Sequence, residues 1–187
     1  MIRIEQDNLL IRSAVEQDAP LLNAWWNNGR VMEHAGFPNG LGESIEETLA
    51  NIRRNNQGLE RQLCIIEIDK VPVGELSFHI KKHVAYPGWK ICETDYQNKG
   101  YGPKLIIMLF NYLFHSEQIR KIEKIERIEW DTMQENERAQ HVYETKIGAR
   151  KIAKLDNNWQ DQLGRWRTAI VYEITSEEFN NRFSVQN

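Results

Sequence analysis

The chain has 187 residues, with 24 Lys and Arg against 27 Asp and Glu, which gives a formal net charge of −3. A chain of this length is typical of one compact domain, so we expect residues 1–187 to form a single domain with its core at about 9–174. The balance of charge provides no basic surface for nucleic acid, and no apolar run reaches the roughly 18 to 20 residues that a membrane span requires.

The N-terminal segment carries charges almost from its first residue and lacks the apolar core of a signal peptide. Two cysteines in apolar runs, Cys64 and Cys92, are more typical of reduced, buried side chains than of a disulfide framework. We therefore expect a cytoplasmic protein.

The first third of the chain predicts a strand followed by two helices. Residues 9–14 form an apolar strand pattern, and Asp18-Ala19-Pro20 predicts the N-cap and first turn of a helix. Trp25 and Trp26 lie on one face of that helix together with leucines. Ser44-Ile45-Glu46-Glu47 matches a capping box and predicts the start of the second helix.

Three strands are predicted next. Residues 63–68 are nearly all apolar, a turn follows, and residues 73–81 alternate so that Glu75, Ser77 and His79 share one face. The third strand, at 85–92, is expected to be interrupted by Pro87-Gly88.

The second half of the chain alternates helices with strands. A strongly apolar pattern predicts a helix that Pro103 opens and that runs through Phe114. The later elements are a strand at about 125–132, a helix at 136–146, strands near 149–155 and at 166–174, and a short helix after Ser176. Strands interrupted by helices indicate a mixed α/β class.

The turn before the apolar helix carries the strongest functional signal. A strand enters a turn with Gly100 and Gly102 and passes directly into the helix, so main-chain N–H groups can converge on an anion at the helix start. Lys99 and Lys104 add positive charge there. The glycine spacing matches neither a dinucleotide fingerprint nor a phosphate-binding loop of nucleotide triphosphatases, which argues against an oxidoreductase and an ATPase.

Two motifs resemble the GNAT superfamily of N-acetyltransferases. Gln97-x-x-Gly100-x-Gly102 is similar to the family's loop for the pyrophosphate of coenzyme A, and Asn136-x-x-Ala139-x-x-x-Tyr143-Glu144, followed by Gly148, is similar to its next helix. The opening strand and Trp25-Trp26-Asn27 most resemble the branch that acetylates ribosomal-protein alanines and small amines. The resemblance implies a mostly antiparallel central sheet, flanked by helices and splayed at the cofactor strand.

The resemblance also implies the residues of the site. Acetyl-CoA would be the cosubstrate, and Tyr143 would protonate the departing sulfur as a general acid. A main-chain N–H at the strand end would stabilise the developing oxyanion, by about 3–4 kcal/mol. The implied cofactor-binding residues are Ile91, Cys92, Gln97, Asn98, Lys99, Gly100, Tyr101, Gly102, Lys104 and Asn136.

Two departures from the family pattern affect the general base and the phosphate site. Relatives often carry Glu where this chain has Tyr86, and Pro103 removes one possible phosphate donor. Glu75 is our first candidate for the base, with His79, His83 and Glu93 as alternatives.

We expect direct transfer to the primary amine of a small molecule or of a protein N-terminus, with no metal, no nucleic acid and no membrane partner. The sequence leaves a homodimer open. The alternative function is a non-catalytic, regulatory module that binds coenzyme A with the same fold.

Overall fold

The computed structural model describes residues 1–183 of the chain. The strands are β1 Arg3–Gln6, β2 Leu9–Ser13, β3 Arg61–Ile68, β4 Val71–Lys81, β5 Val84–Ile91, β6 Arg127–Met133, β7 Arg150–Gln160 and β8 Trp166–Thr175. The α-helices are α1 Ala19–Trp26, α2 Gly29–Met32, α3 Ile45–Asn55, α4 Tyr101–His115, α5 Glu117–Arg120, α6 Glu137–His141 and α7 Ser176–Phe183. A π-helical turn, Val142–Ile147, continues α6. No helix within the described residues is long and apolar enough to cross a lipid bilayer.

All eight strands join one sheet in the order β1-β2-β3-β4-β5-β6-β8-β7. Every neighbouring pair is antiparallel except β5 and β6, which are parallel. The mixed, mostly antiparallel sheet flanked by helices confirms the predicted fold class.

The parallel pairing of β5 with β6 stops after two residue pairs, Val84–Arg127 and Ala85–Ile128. Beyond these pairs the two strands part, and we call the gap between them the splay. Pro87 gives the physical reason. The Cys92 N–H donates to the Val73 carbonyl at 2.8 Å, so by alternation the polar groups of odd-numbered β5 residues point away from β4, toward β6. Pro87 has no N–H with which to continue that ladder.

The two faces of the sheet are covered by different helices. On the α4 face, the buried side chains of Phe78, Phe110 and Trp130 belong to a core that includes α4 and α7. On the opposite face, which we call the α1 face, α1 and α3 pack on β3 through a core that includes Trp25 and Ile65. Because side chains alternate along a strand, each strand near the splay presents residues to both faces.

The sequence located most of these elements, and the capping box of α3 is confirmed. The Glu47 N–H donates to the Ser44 hydroxyl oxygen at 3.2 Å, and the Ser44 N–H donates to the Glu47 carboxylate at 2.7 Å. The predicted cap at Asp18 is wrong in its detail. Its carboxylate accepts hydrogen bonds from the Arg12 guanidinium and the Val15 N–H, and none from α1.

Several boundaries differ from the prediction for local reasons. Strand β5 passes through Pro87 and Gly88 without interruption, because the missing N–H of Pro87 faces the splay. Helix α4 begins at Tyr101, so Pro103 lies within its first turn. Strand β1, which was not predicted, and the long β7 are edge strands with mostly exposed side chains, so neither needs the apolar alternation that marks a buried strand.

Candidate active site

The turn between β5 and α4 is closed by its own side chain. The Gln97 amide donates to the Ile91 carbonyl oxygen at 2.8 Å, which ties the turn to the end of β5. Asn98 and Gly100 have left-handed backbones, with φ of 61° and 79°. Gln97 therefore shapes the loop, and the predicted anion site depends on main-chain groups that follow it.

The start of α4 offers several free donors. Among residues 1–183, the N–H groups of Gly100, Tyr101 and Gly102 have no acceptor, and Pro103 contributes none. A Cβ built on Gly100 or Gly102 would meet no atom within 4 Å. The first turn of α4 therefore faces open space with its positive dipole end, as an anion site requires.

The charged side chains predicted for this loop lie on its surface. Lys99 Nζ lies 5.8 Å from the centre of the Tyr96 ring, and both Asn98 and Lys104 are exposed. None of the three forms a side-chain hydrogen bond or ion pair in the described part of the chain, so each can approach an anion at the helix start without breaking one.

The main chain of β5 lines the splay. Main-chain N–H and C=O groups alternate in direction along a strand. Those of Trp89 and Ile91 therefore point away from β4, on the same side as the Pro87 nitrogen. The Cys92 N–H is already bonded to Val73, and burial raises the pKa of the Cys92 thiol well above its usual range. Of the two residues predicted at the strand end, Ile91 thus has the N–H directed into the splay, and Cys92 does not.

Tyr143 lies in the π-helical turn and packs among aromatic rings. Its ring centre is 5.7 Å from that of Trp89, 5.5 Å from that of Trp130 and 5.3 Å from that of Tyr172. It is only 7% exposed, and burial raises its pKa above the ordinary value, as does the charge of Asp131. The phenol therefore stays protonated at neutral pH.

Asn136 positions the helix that carries Tyr143. Its side-chain oxygen accepts the Ala139 N–H at 3.2 Å, so Asn136 is the N-cap of α6. Gly148 is the C-cap of the π-helical turn, and the Ala149 N–H donates to the Tyr143 carbonyl oxygen at 2.9 Å. The second sequence motif thus fixes where the Tyr143 ring enters the aromatic cluster.

One polar atom of this cluster is left without a partner. Trp130 is 5% exposed, and its indole N–H is buried with no acceptor among the described residues. A buried donor without an acceptor costs about 1–3 kcal/mol, so such groups are rare and call for an explanation. Sequence reasoning did not select Trp130, although its place in β6 beside Ile128 puts it just beyond the last β5–β6 pair.

Three of the predicted bases, Glu75, His79 and Glu93, lie on or near the α1 face, and the two carboxylates among them are engaged. Glu75 Oε1 is 3.1 Å from Lys90 Nζ, and the Glu93 carboxylate accepts the Trp25 indole N–H at 2.7 Å. His83 is exposed in the turn before β5, where its ring lies 3.4 Å from the Glu123 carboxylate. His79 stacks on Tyr86 at 4.9 Å, and burial lowers its pKa, with help from Arg61 and Lys81.

A cleft of about 420 Å³ opens beside the splay. We call it the His79–Asp131 cleft, and its walls come from β4, β5, β6, β7 and β8. The lining residues are His79, Tyr86, Pro87, Gly88, Glu129, Trp130, Asp131, Leu155, Asn158, Ala169 and Val171. Asp131 was missed by sequence reasoning, although alternation with Trp130 in β6 would have placed it on the α1 face.

No metal site stands out in this part of the molecule. Within residues 1–183, no three His, Cys, Asp or Glu side chains come together as ligands of a metal ion would.

Comparison with known proteins agrees with this geometry. The family model described as the Acetyltransferase (GNAT) domain matches residues 8–150. No curated protein matches the sequence at a significant level.

Solved structures with the same fold include enzymes crystallised with coenzyme A. Spermidine N-acetyltransferase from Vibrio cholerae, in complex with CoA and spermine, has a TM-score of 0.78 at 19% identity, over 93% of this chain and 99% of that chain. RimL, a ribosomal L7/L12 alpha-N-protein acetyltransferase in complex with CoA, has a TM-score of 0.79 at 17% identity, over 95% and 99%. A GNAT family acetyltransferase from Bacillus anthracis has a TM-score of 0.74 at 24% identity, over 95% and 100%. At these identities the likeness concerns the fold.

Proposed function

This chain belongs to the GNAT acetyltransferase family, and on that premise we propose that it transfers an acetyl group from acetyl-CoA directly to a primary amine. The observation that carries the proposal is the start of α4, where free N–H groups and two glycines face open space at the end of the splayed strand. We infer an acceptor that is a small-molecule amine or a protein N-terminus.

The residues present fit coenzyme A in three respects. The first turn of α4 has unpaired N–H groups and room where a Cβ of Gly100 or Gly102 would lie, which suits a diphosphate. The odd-numbered residues of β5 direct main-chain polar groups into the splay, which suits the amides of the pantetheine arm. The orphaned indole N–H of Trp130 suits a carbonyl oxygen of that arm.

All the predicted cofactor residues except Cys92 have a part in this arrangement. Acetyl-CoA supplies the activated acetyl thioester when it is bound. Gly100, Tyr101 and Gly102 would hold the diphosphate through N–H groups, and Lys99, Lys104 and Asn98 would contribute side chains at its edge. Gln97 keeps the turn closed on Ile91, whose N–H is directed into the splay.

Tyr143 is the proton donor in this proposal. Its raised pKa keeps the phenol protonated at neutral pH, and its ring lies against Trp89 and Trp130 at the splay. A protonated phenol at this place can give its proton to a thiolate that leaves toward the α4 face. Asn136 supports the helix of Tyr143 and remains a candidate ligand of the pantetheine arm.

The names of the two CoA complexes support an amine acceptor. One neighbour acts on spermidine and another on a ribosomal protein N-terminus, and both present an amine. The His79–Asp131 cleft lies beside the splay with the Asp131 carboxylate in its wall, which suits a positively charged amine.

Two measurements test the proposal. Calorimetry with CoA and acetyl-CoA checks the anion site, and thiol release across a panel of polyamines, aminoglycosides and peptides checks transfer. Binding accompanied by amine-dependent release of CoA supports the enzyme. Binding of acetyl-CoA without release of CoA in the presence of any amine supports the non-catalytic module. If neither CoA nor acetyl-CoA gives a heat of binding, the proposed anion site at the start of α4 is refuted.

A further inference from the structure

Asp131 lies where an acceptor would approach the splay. Gly88 and Asp131 are each the third residue beyond the last β5–β6 pair, Ala85–Ile128, and both line the His79–Asp131 cleft. A Cβ on Gly88 would meet no atom within 4 Å, so the cleft is open opposite Asp131.

The Asp131 carboxylate differs from its neighbours because it is not engaged. No Lys, Arg or His side chain within residues 1–183 forms an ion pair with it, and no other side chain donates a hydrogen bond to it. By contrast, Glu129 in the same wall is 2.7 Å from Arg127, and Glu75 is paired with Lys90. Asp131 is therefore the carboxylate of this cleft that can receive a positively charged amine without first losing a protein partner.

Strand β6 places this carboxylate and the proton donor on opposite faces of the sheet. Trp130 points into the α4 face, where it contacts Tyr143, and the next residue, Asp131, points into the α1 face. The two groups are close enough that the charge of Asp131 helps to raise the pKa of Tyr143. A base on one face and an acid on the other suit a transfer in which the amine enters from one side and the thiolate leaves on the other.

We propose that Asp131 is the general base for the acceptor amine, an assignment that rests on the proposed function. The charged amine first gives one proton to the Asp131 carboxylate, which passes it to solvent, and the freed nitrogen lone pair then forms the C–N bond to the acetyl carbon as the C–S bond breaks. The second N–H proton passes to the Asp131 carboxylate, while the departing sulfur takes the phenolic proton of Tyr143. Proton exchange with solvent then returns both residues to their starting states.

The pH dependence follows from the groups that face Asp131. Asp131 is exposed by surface area, yet the protein atoms packed around its carboxylate raise its pKa by partial desolvation, which its own main-chain N–H opposes. The other titratable groups of the cleft are His79 from β4, Tyr86 from β5 and Glu129 from β6, and β7 and β8 contribute none. The burial-lowered pKa of His79 keeps that ring mostly neutral at pH 7, so the acid limb of the rate belongs to Asp131.

The test compares Asp131→Asn with Glu129→Gln. Spermidine and a peptide with an N-terminal alanine serve as acceptor probes, and kcat/KM is measured from pH 5.5 to 9.5. Glu129→Gln removes the same charge from the same strand face, and Arg127 keeps its second partner, Glu173 at 3.1 Å. CoA affinity is measured by calorimetry for each protein.

We expect Asp131→Asn to lower kcat/KM by about 10²–10³-fold near pH 7, which is the usual size of a general-base effect. The deficit shrinks as the pH rises, because amines with pKa values near 8 to 10 lose their own proton. CoA affinity stays at the wild-type value, and Glu129→Gln keeps the wild-type pH profile.

Two results would overturn the assignment. One is an Asp131→Asn enzyme with the wild-type rate and profile, and the other is an equal, pH-independent loss in both variants. A wild-type protein that fails to bind CoA, or binds it and acetylates no amine, would instead refute the proposed function.

Discussion

At the scale of single residues, Tyr143 shows how burial keeps a phenol in its protonated form. A phenol among three aromatic rings is costly to ionise, so its pKa rises and it carries its proton at neutral pH. We expect Tyr143→Phe to lower kcat by about 10²–10³-fold. Calorimetry should show unchanged acetyl-CoA affinity, because the role proposed for the hydroxyl concerns only the leaving sulfur.

Tyr172→Phe is the matched control for this change. Tyr172 lies in the same cluster, is fully buried, and donates a hydrogen bond to Glu144 at 2.8 Å. We expect it to keep the wild-type turnover and to lose about 1 kcal/mol of unfolding free energy. A Tyr143→Phe enzyme with normal kcat would remove Tyr143 from the mechanism.

At the scale of elements, the two glycines at the start of α4 differ in their reason for being glycine. One is favoured by its own backbone geometry, and the other only by the presence of a ligand. Gly100 has a φ of 79°, which favours glycine regardless of any ligand. Gly102 has helical geometry, and its added Cβ would meet no protein atom. The protein alone therefore gives no reason for glycine at position 102.

We expect Gly102→Ala to stabilise the protein by up to about 1 kcal/mol, the gain of alanine over glycine in a helix. The same methyl group would project into the space assigned to the diphosphate, so CoA affinity should fall at least about tenfold, or 1.4 kcal/mol. Chemical unfolding and calorimetry measure the two effects.

Gly100→Ala is the comparison variant for Gly102→Ala. It should destabilise the protein by about 1–2 kcal/mol, the cost of a left-handed backbone for a residue with a Cβ. A Gly102→Ala protein that binds CoA normally would show that the diphosphate lies elsewhere.

At the scale of the whole molecule, the β7–β8 hairpin is tied to the loop after α2. The Gln162 side-chain amide donates to the Gly40 carbonyl at 2.9 Å, and its oxygen accepts the Asn39 N–H at 2.9 Å. Asp161, whose side chain is 0% exposed, holds this tip together through Arg165 and Arg167, each at 2.8 Å. Distant parts of the chain are thus joined beside the α1 face.

Asp161 makes this junction sensitive to acid. Burial alone would raise its pKa, but hydrogen bonds from Arg165, Arg167 and Leu163 outweigh that effect and lower it. A carboxylate with a lowered pKa in the fold contributes stability above its ordinary pKa of about 3.9, and this is lost as the pH falls through the lower folded value. We expect Asp161→Asn to be less stable than wild type at pH 7.

The difference in stability between the two proteins should narrow below about pH 4, where the carboxylate of the unfolded wild-type chain gains a proton while that of the folded chain stays ionised. Thermal unfolding at pH 7, 4 and 2.5 measures it. A gap in midpoint temperature that stays constant across this range would contradict the account.

The sequence by itself determined the order of most of the longer elements, the fold class and the turn at the start of α4. These depend on local information, because apolar periodicity, a capping box and two closely spaced glycines act over a few neighbouring residues. The Asn136 to Gly148 segment was found in the same way. Its π-helical turn was not predicted, because one extra residue in a helical turn leaves the apolar pattern nearly unchanged.

Only the tertiary structure decided which groups share a site. The splay depends on how Pro87 in β5 faces β6, a strand some forty residues later, and the sequence suggested only that Pro87 would interrupt its own strand. In the sequence Glu75 looked like a free carboxylate, but in the fold Lys90 lies beside it. Asp131 had no apparent role in the sequence, but the pairing of β6 in the sheet places it in the wall of the His79–Asp131 cleft. Pairing between strands sets these neighbours, and such long-range contacts leave no mark in the local pattern of a single chain.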